Sequence, residues 1–326
     1  MSSSTSQPNS DLIYDLYGGG FLSQFIRLAL RLDVFSPLAA RPRGADQVAK
    51  SCGADPRGVR ILLNYLSSTG ILLYQPETDV YSLTPAAAVF LVRGETTFAG
   101  DWVLANTDLD LWEKMLQTLR SGESAGYDLP WAQDAWLESY SPSRVNYSME
   151  MWQTVGVKIP RKETFQILDL ASGCGIKTLA LAQAYPSVAV TCVDSAEVLV
   201  VARDLAERFG VIGQTSFIPG NILSDGFGSQ EYHAALLGLI TYYLTPEQNY
   251  KVYQTVFQAL SSGGRLVIDA IMASQKPSEW ASRASLLMST WNGGSAYSFE
   301  QYQDWLLAAG FTSVTLHNQQ LLSAVK

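Results

Sequence analysis

Three groups of residues in this 326-residue chain combine the types and spacing needed for ligand chemistry. The first is "ILDLASGCG", where Asp169, Gly173 and Gly175 are spaced D-x-x-x-G-x-G at the end of a strand-like run. Glycines in such a loop let the backbone turn sharply and approach a ligand closely. The second is Asp194, nineteen positions after Gly175 and at the end of the next apolar run. A carboxylate there can accept hydrogen bonds from both hydroxyls of a ribose. The third is Tyr242–Tyr243 in "LLGLITYYLTPEQ". A phenol with its ordinary pKa near 10 is a weak base at neutral pH but a serviceable hydrogen-bond donor or orienting group.

The glycine loop discriminates between ligands. A dinucleotide fingerprint calls for a third glycine where Thr178 stands, so that strand and helix pack tightly beneath a pyrophosphate. Asp169 also adds negative charge where phosphates would sit. A nucleoside carrying an amino-acid tail with a cationic end suits the loop better than NAD.

The elements that position these residues follow from periodicity and punctuation. From residue 163 onward, "FQILDL", "VAVTCVD", "TSFI", "HAALLGLI" and "RLVIDAIM" read as strands alternating with helices. Ser195 is an N-cap, and Thr245 with Gln248 and Ser298 with Gln301 form capping boxes. This alternation predicts an α/β fold, a parallel sheet with helices on both faces. The terminal "FTSVTLHNQQLLSAVK" has room only for a tight turn, so its two halves should pair antiparallel at one sheet edge. Residues 1–100 read differently. A short helix, then a helix with Asp55 as cap and Pro56 at its first position, then the hairpin "ILLYQPETDVYSLT" make a winged-helix arrangement. Residues 101–162, rich in Trp and Tyr, should be mainly helical and bridge this domain to the one spanning 163–326.

Composition narrows the function classes. A net charge of −8 and a pI near 4.8 oppose nucleic-acid binding, and the helix that would read DNA carries only Arg57 and Arg60. A scaffold or dimerisation role fits that domain better. No apolar run approaches the roughly 20 residues needed to span a bilayer, and "MSSSTSQPNSD" lacks the features of a signal peptide, so a cytoplasmic protein without membrane contact is expected. Cys52, Cys174, Cys192, His233 and His317 are too few and too scattered for a disulfide framework or a metal centre.

Taken together, "ILDLASGCG", "TCVD", "GNIL", "LTPEQ", "SGGRLVIDAIM" and "AAGFTSVTL", in that order behind the N-terminal helices, resemble the class I S-adenosylmethionine-dependent methyltransferases. More narrowly, the chain is similar to the dimeric small-molecule O-methyltransferases with an N-terminal winged-helix domain. The resemblance implies a Rossmann-like seven-stranded sheet, a homodimer, and S-adenosylmethionine as cofactor with S-adenosylhomocysteine as product. It places Asp169, Ser172, Gly173 and Gly175 at the methionine moiety, Asp194 at the ribose and Asn221 and Ile222 against the adenine, and counts Ala171, Ser195 and Gly238 among the cofactor-binding residues. That family usually has Gly at Ala171 and Asp at Asn221.

The resemblance also shows what is missing. Tyr242 and Tyr243 occupy the positions of the family's His-Asp base, and Ala296 that of its further acidic partner. The substrate expected is therefore already nucleophilic: an acidic phenol, enol, thiol or electron-rich carbon of secondary or pigment metabolism. Trp112, Trp131, Trp136, Met149, Trp152, Trp280, Met288, Trp291 and Tyr297 are candidates for an aromatic pocket around a flat acceptor. Two alternatives stand beside methyl transfer. One is a non-methylating enzyme that uses the sulfonium only as a charge, for cyclisation, rearrangement or hydroxylation; the other is a catalytically silent ligand-binding dimer.

Overall fold

The computed structural model describes residues 11–95, 97–105, 109–126, 142–229, 231–274, 276 and 278–326, and the chain divides into two compact units, Met1–Leu109 and Asp110–Lys326.

In the first unit, helices Asp11–Leu32, Ser36–Ala39, Ala45–Cys52 and Pro56–Ser68 precede a hairpin of β1 (Leu72–Gln75) and β2 (Val80–Leu83). Helices Pro85–Phe90 and Gly100–Ala105 follow. Asp55 starts the fourth helix by accepting a hydrogen bond from the Gly58 N–H at 2.8 Å, with Pro56 at the first helical position. The hairpin is antiparallel, Leu72 facing Leu83. Its Tyr81 is fully buried among Leu30, Phe35, Leu63 and Leu66 and donates its hydroxyl to Asn64 Oδ1 at 2.5 Å. The helix-then-hairpin order is the one expected. Arg60, one of the two cations on the candidate DNA-reading helix, grips Asp79 through two hydrogen bonds of 2.8 and 3.0 Å.

The second unit holds a seven-stranded sheet in the order β5-β4-β3-β6-β7-β9-β8. The strands are β3 (Phe165–Leu170), β4 (Val188–Asp194), β5 (Thr215–Pro219), β6 (Tyr232–Gly238), β7 (Leu260–Asp269), β8 (Ser313–Leu316) and β9 (Leu321–Val325). The first five run parallel, while β9 runs antiparallel to β7 and to β8. The expected terminal pair thus closes one edge of the sheet. Helices Ile176–Ala184, Ala196–Arg208 and Pro246–Ala259 lie between successive strands. Side chains alternate across a strand, so Ile167 enters one core with Leu179, Val190 and Trp152, and Leu168 and Leu170 enter the other with Val252, Tyr253 and Ile268. The strands are apolar on both faces because both faces are covered. Both expected capping boxes are formed, at Thr245 and at Ser298.

Directly after β3 and β6 stand Ala171 and Leu239, with φ of 52° and 62°. L-residues are held in this left-handed region at a cost of about 1–3 kcal/mol, and both mark a sharp exit from the sheet. Glycine relieves the strain at Ala171 but loosens the unfolded chain, whereas a β-branched residue increases the strain. Ala171→Gly is therefore expected to hold or raise the thermal midpoint and Ala171→Val to lower it by ~2–4 °C. Thermal denaturation of the two variants checks this.

Candidate active site

The glycine loop and the second carboxylate meet. From β3 the chain passes through Gly173 (φ 56°) to Gly175 (φ 73°), which caps helix Ile176–Ala184. A Cβ on Gly175 would lie 3.0 Å from Leu179 Cδ1, so both conformation and space require glycine. Asp194 at the end of β4 accepts from the Gly173 N–H at 2.9 Å and from the Ser195 N–H at 2.8 Å. Burial pushes its pKa up, and those two amides oppose the shift. Ser195 in turn caps the next helix by accepting from the Val198 N–H. The Ser172 hydroxyl is buried in the loop without a hydrogen-bond partner among the described residues, and it lies beside the Cys192 thiol.

Past β5, the Gly220 N–H donates to the Asp194 carbonyl at 3.0 Å. Asn221 is exposed, its N–H donating to Asp225 Oδ2 at 2.7 Å and its Oδ1 accepting from Leu223 at 2.9 Å. Ile222 is half-buried against the Leu168–Leu170 core. Asp169 is 2% exposed and accepts from Thr178 Oγ1 at 2.6 Å. Threonine at the place of a third glycine therefore compensates the buried carboxyl. Burial pushes the Asp169 pKa up to about 7, against the Thr178 hydrogen bond and the charge of Lys177.

Tyr242 and Tyr243 are not on the strand, which ends at Gly238. Leu239 turns the chain out of the sheet, and the tyrosines occupy a single 3-10 turn, Thr241–Tyr243. This corrects the expectation that the strand runs on through Ile240. Tyr242 is buried, and its ring centroid lies 4.6 Å from that of Tyr243. Burial raises its pKa far above that of a free phenol, reinforced by Tyr243 and Asp269. Tyr242 is held neutral and its hydroxyl pairs with that of Tyr243.

The turn is fastened from behind. Asn249 Nδ2 donates to the carbonyls of Thr241 at 2.8 Å and Leu244 at 3.1 Å, while its Oδ1 accepts from Tyr253 at 3.0 Å. Tyr302 pairs with Thr241 Oγ1 at 2.8 Å, and Tyr297 donates to the Leu244 carbonyl at 2.6 Å. A Cβ on Gly294 would lie 2.6 Å from the Tyr243 carbonyl carbon. The Gly-Gly pair of "WNGGSAYS" is thus what lets that loop close on the turn.

The aromatic candidates separate. Met288 and Trp291 join Tyr242, Tyr243 and Ala296 in one apolar cluster, Trp291 standing edge-on to Tyr243 at 5.3 Å. Trp152 lies in the core of the opposite cluster, where Met149 also packs, and its Nε1 donates to the Lys177 carbonyl at 2.8 Å. Tyr297 is a core residue of the second face. Trp112 and Trp280 are exposed, at 55% and 51%. Trp131 and Trp136 lie outside the described residues. Neither histidine reaches the site: His233 Nδ1 accepts from the Gln166 N–H, and His317 pairs with Ser323.

Sequence reasoning missed one constellation. Asp269, the last residue of β7 and the partner of Gly238 across the sheet, is 2% exposed in its side chain. It binds Lys177 Nζ through Oδ2 at 2.7 Å and accepts from the Tyr147 hydroxyl through Oδ1 at 3.0 Å. The rule that singled out Asp169 and Asp194, a carboxylate ending an apolar strand, also fits "RLVID"; its partners come from helices Ile176–Ala184 and Pro142–Val155 and are invisible to local pattern. Among the described residues no group of three or more His, Cys, Asp or Glu is placed to hold a metal, and no helix is long and apolar enough to cross a membrane.

Two parts of the chain match models of known protein families. Residues 14–93 match the model of an O-methyltransferase dimerisation domain, and residues 167–264 match that of a methyltransferase domain. Over 320 residues the chain is 25% identical to 3-hydroxy-5-methyl-1-naphthoate 3-O-methyltransferase of Streptomyces sahachiroi, covering 93% of this chain and 90% of that one. A crystal structure from Nostoc punctiforme superposes with a TM-score of 0.81 at 25% identity, covering 98% of this chain and 100% of the other. Human N-acetylserotonin methyltransferase, solved with S-adenosylmethionine, superposes with a TM-score of 0.75 at 19% identity and covers 100% and 99%.

Asp169 generates a pH prediction. Its folded pKa of about 7 lies above the ordinary 3.8, so between those values the folded state keeps a proton that the unfolded chain releases. Stability therefore falls as pH rises through that window. Asp169→Asn, which cannot ionise, is expected to flatten the fall between about pH 4 and pH 7 in urea denaturation series. A variant that kept the parent's slope would show the carboxyl ionised throughout.

Proposed function

The chain is an S-adenosylmethionine-dependent methyltransferase of the family that joins an O-methyltransferase dimerisation domain to a methyltransferase domain, and from that premise we propose that it O-methylates a small hydroxylated aromatic compound of secondary metabolism without a histidine base. The observation carrying this reading is the contact between Asp194 and the Gly173 amide, which sets the carboxylate ending one strand against the glycine loop that follows its neighbour.

In this reading Asp169, Ala171, Ser172, Gly173, Gly175 and Gly238 surround the methionine end of the cofactor. Asp194 and Ser195 hold the ribose, and Asn221 and Ile222 border the adenine. When bound, the cofactor supplies a methyl group on a sulfonium. The chain's own contribution is placement: Met288 and Trp291 flank the acceptor ring, and the neutral Tyr242–Tyr243 pair orients it by hydrogen bonding. Holding an acceptor in line with the methyl removes much of the barrier, about 7 kcal/mol or more in favourable cases. An acceptor that ionises readily then needs no general base. Its aromatic character is supported by the hydroxynaphthoate that the Streptomyces sahachiroi relative is named for.

Assembly as a homodimer through the first unit completes the reading. Leu28, Ile61 and Phe90 of that unit are about half exposed, at 51%, 57% and 49%, apolar area that a second copy would cover. Within the second unit, helix Pro142–Val155 contributes to the substrate pocket through Tyr147, which reaches Asp269.

The direct test is incubation with S-adenosylmethionine and a panel of phenols and hydroxynaphthoates. The expected result is S-adenosylhomocysteine together with a product heavier by one methyl group. The absence of the His-Asp pair keeps a second reading in view: a product of unchanged mass would assign the chain to rearrangement chemistry instead. Asp194→Ala should weaken S-adenosylhomocysteine binding tenfold or more, roughly 1.5–3 kcal/mol; calorimetry showing parental affinity removes the ribose assignment. Tyr242→Phe should lower turnover only about fivefold, the ~1 kcal/mol worth of one hydrogen bond. A thousandfold loss at intact cofactor affinity would make Tyr242 the proton-transfer group and overturn catalysis by placement.

A further inference from the structure

The buried pair Lys177–Asp269 has no role in the mechanism above, yet it stands at the centre of the site. Lys177 is the second residue of the helix opened by Gly175, and its side chain crosses the end of β6. A Cβ on Gly238 would lie 2.9 Å from its Nζ, and the Nζ reaches Asp269 at the end of β7. Lys177 also acts electrostatically on Asp169 in the glycine loop, and Asp269 acts on Tyr242 in the turn. The pair therefore spans the interval between the proposed methyl donor and the proposed acceptor.

Its construction is costly unless used. Removing an ammonium and a carboxylate from water costs several kcal/mol per ion, and a buried ion pair often contributes no more stability than apolar residues of the same volume. Both Asp269 oxygens are engaged, one by Lys177 and one by Tyr147, so the carboxylate is fixed and in turn fixes the lysine. Lys177 keeps 16% of its side chain exposed, and an ammonium has three donors, of which Asp269 takes one. The charged groups that act on this ammonium or on its partner are Asp269 on β7, Asp169 on β3 and, through Asp169, Asp194 on β4. The phenols beside them are Tyr147 and Tyr242.

We propose that Lys177, positioned by Asp269 and Tyr147, is an oxyanion-binding residue that holds the acceptor as its phenolate or enolate, replacing the missing base by stabilising the ionised substrate. The inference rests on the methyl-transfer reading and assigns its substrate class: an acidic aromatic or conjugated hydroxyl. The acceptor's proton leaves to solvent on binding. The acceptor oxygen then forms the new O–C bond as the C–S bond breaks, and that bond's electron pair remains on sulfur as a neutral thioether. A cation beside an ionising hydroxyl lowers its pKa, and a water-excluded site makes such stabilisation large.

The test uses a nitrophenol, whose phenolate is visible by absorbance, bound to the protein with S-adenosylhomocysteine. In the parent the bound phenol should ionise at lower pH than in solution, and in Lys177→Met its midpoint should rise by on the order of one pH unit or more, with S-adenosylhomocysteine affinity unchanged. Lys177→Met alone leaves the Asp269 carboxylate buried without its cation, so the double variant Lys177→Met/Asp269→Asn carries the same measurement with both charges removed. Lys177→Arg should restore much of the shift. Equal midpoints in parent and variants overturn the inference, as does a loss of cofactor affinity with the phenol midpoint unmoved, which would give Lys177 to the cofactor. A parent that shifts the nitrophenol but forms no S-adenosylhomocysteine with any acceptor leaves the oxyanion site standing and removes the methyl-transfer reading.

Discussion

The site depends on the parallel register of β3, β4, β6 and β7. Asp169 lies opposite Cys192 on one side and Leu236 on the other, and Gly238 lies opposite Asp269. Side chains alternate along a strand, so a slip of one residue in any pairing would exchange its two faces. Here both faces are packed, Ile167 into one core and Leu168 with Leu170 into the other, and each core penalises the slip. This double constraint brings Asp169, Asp194, Gly238 and Asp269 together at the C-terminal ends of the parallel strands.

Gathering three carboxyls at these water-poor strand ends creates an electrostatic problem, and the chain solves it three ways. Asp169 meets a hydroxyl, Thr178; Asp194 meets two backbone amides; Asp269 meets an ammonium and a phenol. Burial pushes Asp169 up to about 7 in spite of its hydroxyl partner and the charge of Lys177. Burial raises the pKa of both Asp169 and Asp194, opposed at Asp169 by Thr178 and Lys177 and at Asp194 by two backbone amides.

Much of this was legible in the sequence because it is encoded locally. The capping boxes at Thr245 and Ser298, the Asp55–Pro56 helix start and the glycine loop are short patterns whose chemistry is complete within a few residues. What escaped is encoded at a distance or against propensity. Leucine carries no signal for a left-handed backbone, so the exit at Leu239 and the displacement of the tyrosines from the strand were hidden. Aromatic content does not say which face a ring joins, so Trp152 and Tyr297 read like Trp291 although all three occupy different clusters. The Lys177–Asp269 pair forms only once helix and sheet are assembled.

The tyrosine turn is fastened by groups other than the side chains it presents. Asn249, Tyr297, Tyr302 and the close approach of Gly294 hold its backbone, while the side chains of Tyr242 and Tyr243 pair with each other. Address and occupant are thereby separated: a lineage can exchange the residues at these two positions while the point they serve stays fixed. A scaffold of this kind accumulates new reactivities by substitution at a socket, without having to re-evolve its core.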